Sequence, residues 1–123
     1  MTTNSKQLGA IGEQAALRYL RSHGHKILAN NFRCPAGELD LITFHEGVVV
    51  FVEVKALASD QHADPEEHIT PAKQRKLRHV AEYWLTRHRH PECAYRFDAV
   101  SVIVPESGDP VIRHIPEAFI PRS

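Results

Sequence analysis

Apolar and polar positions near the N-terminus repeat with the period of a helix. Apolar or small side chains recur every three or four residues, which predicts a helix from about Lys6 to Ser22 with a wide buried stripe. The preceding "TTNS" is rich in capping residues, and Gly24 follows the end of the segment. The stripe consists of Leu8, Ile11, Gly12, Ala15, Ala16, Tyr19 and Leu20.

Patterns typical of strands occupy much of the remaining chain. "HKILANNFR" and the segments 38–45 and 48–55 predict three strands, "YRFDAVSVIV" predicts another, and "PVIRHI" a short last one. A second helix is predicted after the N-cap Thr70, with Pro71 at its first position. Its buried face consists of Leu77, Val80, Ala81, Trp84 and Leu85. This order of elements predicts an α/β domain with a mixed sheet.

The two central strands predict a hairpin that brings two acids together. Glu46 and Gly47 are suited to a two-residue turn, because glycine readily takes a positive φ. In the resulting register Asp40 faces Glu53, and the next pair outward on the same face is Glu38 and Lys55. Leu39, Leu41 and Thr43 would then share the other face with Val50, Val52 and Val54. A longer turn would shift this register by one residue.

Two facing carboxylates on an apolar sheet need a counter-charge. Directly opposed residues have Cβ atoms about 4.5–5.5 Å apart, and like charges at that distance repel. A divalent cation such as Mg²⁺, which binds carboxylate oxygens, would remove the repulsion between Asp40 and Glu53. Lys55 could then stabilise charge on a phosphate. The alternative is a structural ion cluster in which Glu38 pairs with Lys55.

Composition places the chain among small globular proteins. It has 123 residues, of which 42% are hydrophobic, and these numbers suit one domain with one core. Fifteen basic and fifteen acidic residues cancel, so attraction to a nucleic acid must come from local patches. The beginning of the chain lacks a signal-peptide pattern, and no apolar run is long enough for a membrane span, which predicts a cytoplasmic protein that does not bind membranes.

Histidine and cysteine do not show metal-site spacing. The nine histidines are scattered, which favours solvated surface positions over a zinc site. Cys34 and Cys93 are far apart and predict reduced thiols, although one disulfide between them stays open.

The hairpin residues resemble the signature of the PD-(D/E)XK nuclease superfamily, with Asp40 followed by "EVK" at 53–55. The resemblance extends to the YraN family of bacterial proteins through "GAIGEQAALRYLRSHGHKILANNFRCPAGELDLI", "VVFVEVKA" and "RFDAV". It implies one restriction-endonuclease-like domain over 1–123 with an α-β-β-β-α-β core. It also implies that Asp40 and Glu53 bind Mg²⁺ or Mn²⁺, that Lys55 assists the attacking water, and that Glu13 joins the metal site. Glu13 could equally be a surface or capping residue.

The start of the second helix is the predicted nucleic-acid contact. The resemblance places a polar residue at Lys73, next to Gln74, within reach of a phosphate, and Arg75 and Lys76 continue a basic stripe. The stripe could also be only a solvated helix face. Asp98, in "RFD", could pair with Arg96 or brace Lys73, and the resemblance to dimeric resolvases implies a homodimer.

Two features depart from the nuclease pattern. The family usually continues its "EVK" motif with threonine and arginine, whereas this chain has Ala56 and Leu57. The following "SDQHADPEEH" is acidic and lacks lysine and arginine, so it would repel a DNA backbone. The resemblance as a whole implies a Mg²⁺- or Mn²⁺-dependent endonuclease acting on branched or single-stranded DNA, and the two departures speak against catalysis. The alternative is a non-catalytic nucleic-acid-binding module that retains the fold.

Overall fold

The computed structural model describes residues 4–59, 69–88 and 93–119, and its elements follow the predicted order. They are helix α1 (Ser5–Ser22), strands β1 (Lys26–Cys34), β2 (Gly37–His45) and β3 (Val48–Ala58), helix α2 (Pro71–Arg87), and strands β4 (Tyr95–Val104) and β5 (Val111–Phe119). The strands form one sheet in the order β1-β2-β3-β4-β5, and β3 and β4 are its parallel pair. The predicted α/β class with a mixed sheet is confirmed, and the last strand is longer than predicted.

Side-chain caps fix the beginnings of both helices. Before α1, the backbone N–H of Gln7 donates to Asn4 Oδ1 at 2.8 Å, and the Asn4 N–H donates to Gln7 Oε1 at 3.2 Å. This reciprocal pair is a capping box. Before α2, Thr70 Oγ1 accepts from the Lys73 N–H at 3.2 Å, and Pro71 occupies the first helical position as predicted. The cap at Thr70 therefore fixes where the side chain of Lys73 begins.

The two helices cover opposite faces of the sheet, and each forms a separate core. The α1 face is built from Ala16, Leu20, Leu41, Val50, Val52, Val100 and Val102. The α2 face includes Ile42, Val49, Phe51, Leu77, Val80, Trp84, Phe97 and Ala99. Consecutive residues of β3 alternate between these sets, as the period of a strand requires. In the α1 stripe, Ile11 is an exception to the prediction, because 39% of it is exposed.

Helix α1 approaches strand β3 closely at Gly12. A Cβ atom added to Gly12 would lie only 2.6 Å from Cβ of Ala56, which is closer than two carbon atoms can pack. Gly9, three residues earlier on the helix, has no atom within 4 Å of the same added Cβ. Gly12 therefore sets the distance between the helix and the strand that carries Glu53.

The regular alternation of β2 breaks at Asp40. Leu41 packs in the α1 core with Val50 and Val52, but Leu39 packs in the α2 core, so the prediction that Leu39 and Leu41 share a face is wrong. Asn31, on the neighbouring strand, has a φ of 51°, in the left-handed region that asparagine tolerates better than most residues. Both strands thus depart from regular geometry where Asp40 lies.

Neither helix in the described part of the chain is long and apolar enough to cross a bilayer. Cys34 and Cys93 are free, partly buried thiols, in agreement with the reduced state that the sequence favours.

Candidate functional site

The hairpin of β2 and β3 has the predicted register. Glu46 and Gly47 form its turn with φ values of 50° and 81°, the pair of positive values that a type I′ turn requires. From there the strands pair from His45 opposite Val48 to Leu41 opposite Val52. The next residues outward are Asp40 and Glu53, and at this point the backbone pairing stops.

The side chain of Asp40 forms a hydrogen bond to β3 just beyond the last backbone pair of the two strands. Its Oδ2 accepts a hydrogen bond from the backbone N–H of Val54 at 2.7 Å. In the continued register, the neighbour of Val54 would be Leu39, which instead packs in the α2 core. The carboxylate therefore satisfies a backbone donor that the separating strand no longer reaches. This bond fixes one oxygen of Asp40 beside Glu53.

Asp40 and Glu53 form a close pair of carboxyl groups, called the carboxylate pair below. Burial raises the pKa of Asp40 to about 8, and a hydrogen bond to Glu53 and the negative charge of Glu53 act in the same direction. The Val54 N–H and the positive charge of Lys73 lower this pKa by less. A close, buried pair of carboxyl groups of this kind favours the retention of one proton between them. The structure thus brings the two predicted metal ligands within hydrogen-bonding distance of each other.

Lys73 supplies the positive charge at the pair. Its Nζ lies 3.1 Å from Glu53 Oε2, with 42% of the lysine side chain and 14% of the glutamate side chain exposed. Lys55 is exposed, and within the described residues no salt bridge joins it to an acid. The partner of Lys73 is thus Glu53. The alternative partner Asp98 is fully buried and pairs with Arg96 at 3.0 Å.

The predicted facing of Glu38 and Lys55 is wrong. Glu38 lies beyond the point where the strands separate, and its Oε2 is 3.4 Å from Nε of Arg33 on β1. Both of these side chains are largely exposed, so this ion pair contributes little to stability. The structural ion cluster of Glu38 with Lys55 is consequently not formed.

Glu13 lies near the carboxylate pair without forming a three-acid cluster with it. With the Asn31 side-chain amide oriented to donate, its nitrogen is 3.0 Å from Glu13 Oε1 and 3.3 Å from Oε2. Burial and then the charge of Asp40 raise the pKa of Glu13. Across the described ranges, no three or more His, Cys, Asp or Glu side chains converge as metal ligands. Asn31, which sequence reasoning missed, is the residue that orients Glu13.

The predicted nucleic-acid residues of α2 differ in their exposure. Arg75 and Lys76 are exposed, and the Lys76 side chain runs beside Gly37. Gln74 is partly buried, and its Nε2 donates to the carbonyl oxygen of Ile69 at 3.2 Å, so its amide helps to hold the start of the helix. Arg78 pairs with Glu82 at 2.9 Å. Arg75 and Lys76 are thus the predicted contacts that face solvent.

The two departures from the nuclease motif differ in position, and Ala56 lies on the face of the sheet opposite Glu53. Ala56 points toward Gly12 on the α1 face, whereas Glu53 pairs with Lys73 on the α2 side. A larger residue at position 56 would therefore meet the helix. Leu57 is buried, with 5% of its surface exposed. The acidic stretch over 60–68 lies outside the described residues.

Three histidines form a cluster that sequence reasoning missed. His25 is 5% exposed, its Nδ1 lies 2.7 Å from Thr43 Oγ1, and its ring stacks on His45 at 4.1 Å. His114 Nε2 lies 2.7 Å from Asp98 Oδ2. Burial and, to a smaller extent, the positive charge of the neighbouring His45 lower the pKa of His25 to about 4. The surface assignment is wrong for His25, because residues from separate elements enclose it.

Comparison with known sequences shows the family of the chain and leaves its chemistry open. The chain is similar to UPF0102 proteins from several bacteria. The protein from Geobacter metallireducens is 41% identical over 120 residues, covering 97% of each chain. That from Caldicellulosiruptor saccharolyticus is 46% identical over 99 residues, covering 80% of this chain and 84% of the relative. One from Bifidobacterium longum is 45% identical over 117 residues, covering 93% and 94%. The sequence profile described as "Uncharacterised protein family UPF0102" matches residues 12–102, and the chain therefore belongs to the UPF0102 family, whose Escherichia coli member is YraN.

Proposed function

We propose that this protein is a Mg²⁺- or Mn²⁺-dependent endonuclease that hydrolyses phosphodiester bonds in DNA. The observation that carries the proposal is the carboxylate pair of Asp40 and Glu53 at the point where β2 and β3 separate. Two carboxyl groups held together at the cost of a raised pKa are more typical of a functional site than of a structural one. The resemblance of this hairpin to the PD-(D/E)XK signature supports the same reaction class.

The donor set suits a hard divalent cation. Both groups offer oxygen, and Mg²⁺ is commonly held by one or two carboxylates together with water and substrate phosphates. Burial and the negative charge of Glu53 both raise the pKa of Asp40, and this supports a site that favours positive charge between the two groups. A bound Mg²⁺ or Mn²⁺ would supply Lewis-acid activation of the phosphodiester and of the attacking water. Glu13, with Asn31, would adjust the charge around Asp40.

The lysines supply charge on the substrate side. Lys55 follows Glu53 by two residues and is exposed, so its ammonium is available to orient the attacking water. Lys73, Arg75 and Lys76 lie in the first two turns of α2, and Lys73 contacts the pair through Glu53. All three would bind phosphates of the strand being cut. No base-reading arrangement is evident in these contacts, so recognition of DNA shape or branching is the proposed mode.

Cleavage assays with matched variants test the proposal. Branched and linear DNA are incubated with Mg²⁺ or Mn²⁺ and with wild type, Glu53→Gln, Asp40→Asn or Glu38→Gln. We expect the first two variants to lose at least about 100-fold in rate, the order seen when one group that stabilises transition-state charge is removed. Glu38→Gln, on the same strand but paired with Arg33, should cleave like wild type. Cleavage that persists in Glu53→Gln would assign the activity to a contaminant or to another site.

A second candidate is a DNA-binding module without catalysis. Two observations favour it: Lys73 already neutralises Glu53, and the described residues provide no third acid that converges on the pair. This candidate predicts DNA affinity that falls steeply with salt, and no strand breaks with any metal. The homodimer implied by the resemblance stays a prediction for either candidate.

A further inference from the structure

Lys73 occupies the place at the carboxylate pair where positive charge is required. Its Nζ is 3.1 Å from Glu53 Oε2, and a cation bound between the two strands would need the same carboxylate. The glutamate side chain is mostly buried, whereas the lysine side chain is 42% exposed. Glu53 is thus fixed by the strand, and Lys73 is the partner with room to leave.

The positive charge of Lys73 would be unfavourable at its position in α2 without the nearby Glu53. Lys73 lies in the first turn of α2, where the helix dipole is positive and lysine is disfavoured. The first turn of α2 contains no acidic residue that would offset this effect. The Thr70 cap holds the backbone of Lys73 in place, so its position changes only by rotation of the side chain. The favourable contact that offsets the dipole comes from Glu53.

We propose that Lys73 and a divalent cation compete for Glu53, so that the lysine is a built-in counter-cation which the metal displaces. The inference rests on the proposed function for its metal. Lys73 holds the glutamate in the absence of metal. When a cation binds, the ammonium leaves Glu53 and is available at the edge of the site for a phosphate oxygen of the substrate. Lys73 is thereby a positioning residue that couples metal binding to substrate binding.

Competition predicts effects of opposite sign in a Lys73→Gln variant. Metal affinity should increase about three- to tenfold, because the cation no longer displaces an ion pair of partly exposed groups. Affinity for DNA should decrease in the same variant, because a phosphate partner is lost. A merely structural lysine would give a different result, because its removal would let Glu53 move and weaken metal binding.

The experiment is calorimetric titration of Mn²⁺ into the metal-free protein, without DNA. Wild type is compared with Lys73→Gln, Lys73→Arg, Lys76→Gln and Glu53→Gln, each first checked for cooperative thermal unfolding. Lys76→Gln removes the same charge from the next turn of the helix, but its side chain lies beside Gly37, so it controls for general electrostatics. Lys73→Arg keeps the charge and should bind Mn²⁺ like wild type.

The competition is supported if Lys73→Gln binds Mn²⁺ more tightly than wild type and Lys76→Gln does not. It is also supported if Lys73→Gln binds Mn²⁺ and wild type shows no binding. Unchanged or weaker binding by Lys73→Gln overturns it, as does an equal gain in Lys76→Gln. If wild type binds Mn²⁺, Glu53→Gln does not, and Lys73→Gln shows no gain, then the inference fails while the proposed metal site stands. If neither wild type nor Lys73→Gln binds Mn²⁺, both the inference and the proposed function fail.

Discussion

The close contact between α1 and β3 gives a prediction that does not depend on the function. Gly12→Ala would place a Cβ atom 2.6 Å from Cβ of Ala56, where ordinary carbon contacts begin near 3.5 Å. One of the two backbones must therefore shift by about 1 Å. Neither is free to do so, because Ala16 and Leu20 on the same helix are completely buried against the sheet.

The magnitude follows from two opposing terms. Overpacking a core contact of this kind costs about 1–3 kcal/mol. Alanine in a helix is favoured over glycine by about 1 kcal/mol, which offsets part of that cost. We expect Gly12→Ala to destabilise the protein by about 0–2 kcal/mol, and Gly9→Ala, which meets no atom within 4 Å, to stabilise it by about 0.5–1 kcal/mol. The difference between the two variants, about 1–3 kcal/mol, is the cost of the contact.

Urea unfolding at equilibrium measures this difference. The double variant Gly12→Ala with Ala56→Gly removes the clashing Cβ, and the nearest remaining atom is Cα of residue 56 at 3.5 Å, an ordinary contact. The two substitutions should therefore couple favourably by about 1 kcal/mol or more in a double-mutant cycle. If Gly12→Ala is as stable as Gly9→Ala, or if the cycle shows no coupling, the packing argument is wrong.

Four further predictions follow from the sites described above. The folded-state pKa of His25 lies below its ordinary value of 6.5, so its contribution to stability should be lost as pH falls from about 6.5 to about 4; the slope of unfolding free energy against pH should be shallower in His25→Gln, and equal slopes would contradict the burial argument. Asp98→Asn should cost about 3–5 kcal/mol in urea unfolding, because Arg96 and His114 lose a buried charge partner; a cost below about 1 kcal/mol would show that they find other partners. Saturating Mn²⁺ should raise the melting temperature of wild type, with about 2.7 kcal/mol gained at 100 times the dissociation constant, and the same rise in Glu53→Gln would place the metal elsewhere. Arg33→Ala should change stability by less than about 0.5 kcal/mol in urea unfolding, because its ion pair with Glu38 is exposed; a larger cost would mean that the pair is better shielded than its exposure indicates.

Local patterns determine how much of this structure the sequence predicts. The register of the hairpin was predictable because Glu46 and Gly47 specify a short turn, and alternation along β3 then assigns each side chain to a face. The pairing of Glu38 with Lys55 was not, because extrapolating the register assumes that two strands continue side by side. Where β2 and β3 separate, Asp40 accepts a hydrogen bond from the Val54 N–H, and Asn31 on β1 has a left-handed backbone conformation. The hydrophobic period of the sequence predicts neither feature.

Contacts between distant elements were beyond the same reasoning. The pairing of Lys73 with Glu53 depends on where α2 lies over the sheet, which the helical period of α2 does not specify. His25, His45 and His114 come from three different strands or their ends, so their scattered spacing in the sequence concealed a cluster in space. The pairing of Asp98 with Arg96 was accessible, because residues two apart on a strand share a face.

The separation of β2 and β3 has a consequence for how this protein can be tuned. A helix and the acids on the strands it covers need not sense one another, but here the charge of Asp40 raises the pKa of Glu13 on α1, and such an interaction between charges is mutual. Substitutions on the α1 side that reorient Glu13 or Asn31 would therefore alter the proton balance of the carboxylates without touching either of them. Charged groups on the two sides of the sheet, Glu13 on α1 and Asp40 on β2, thus influence each other's protonation.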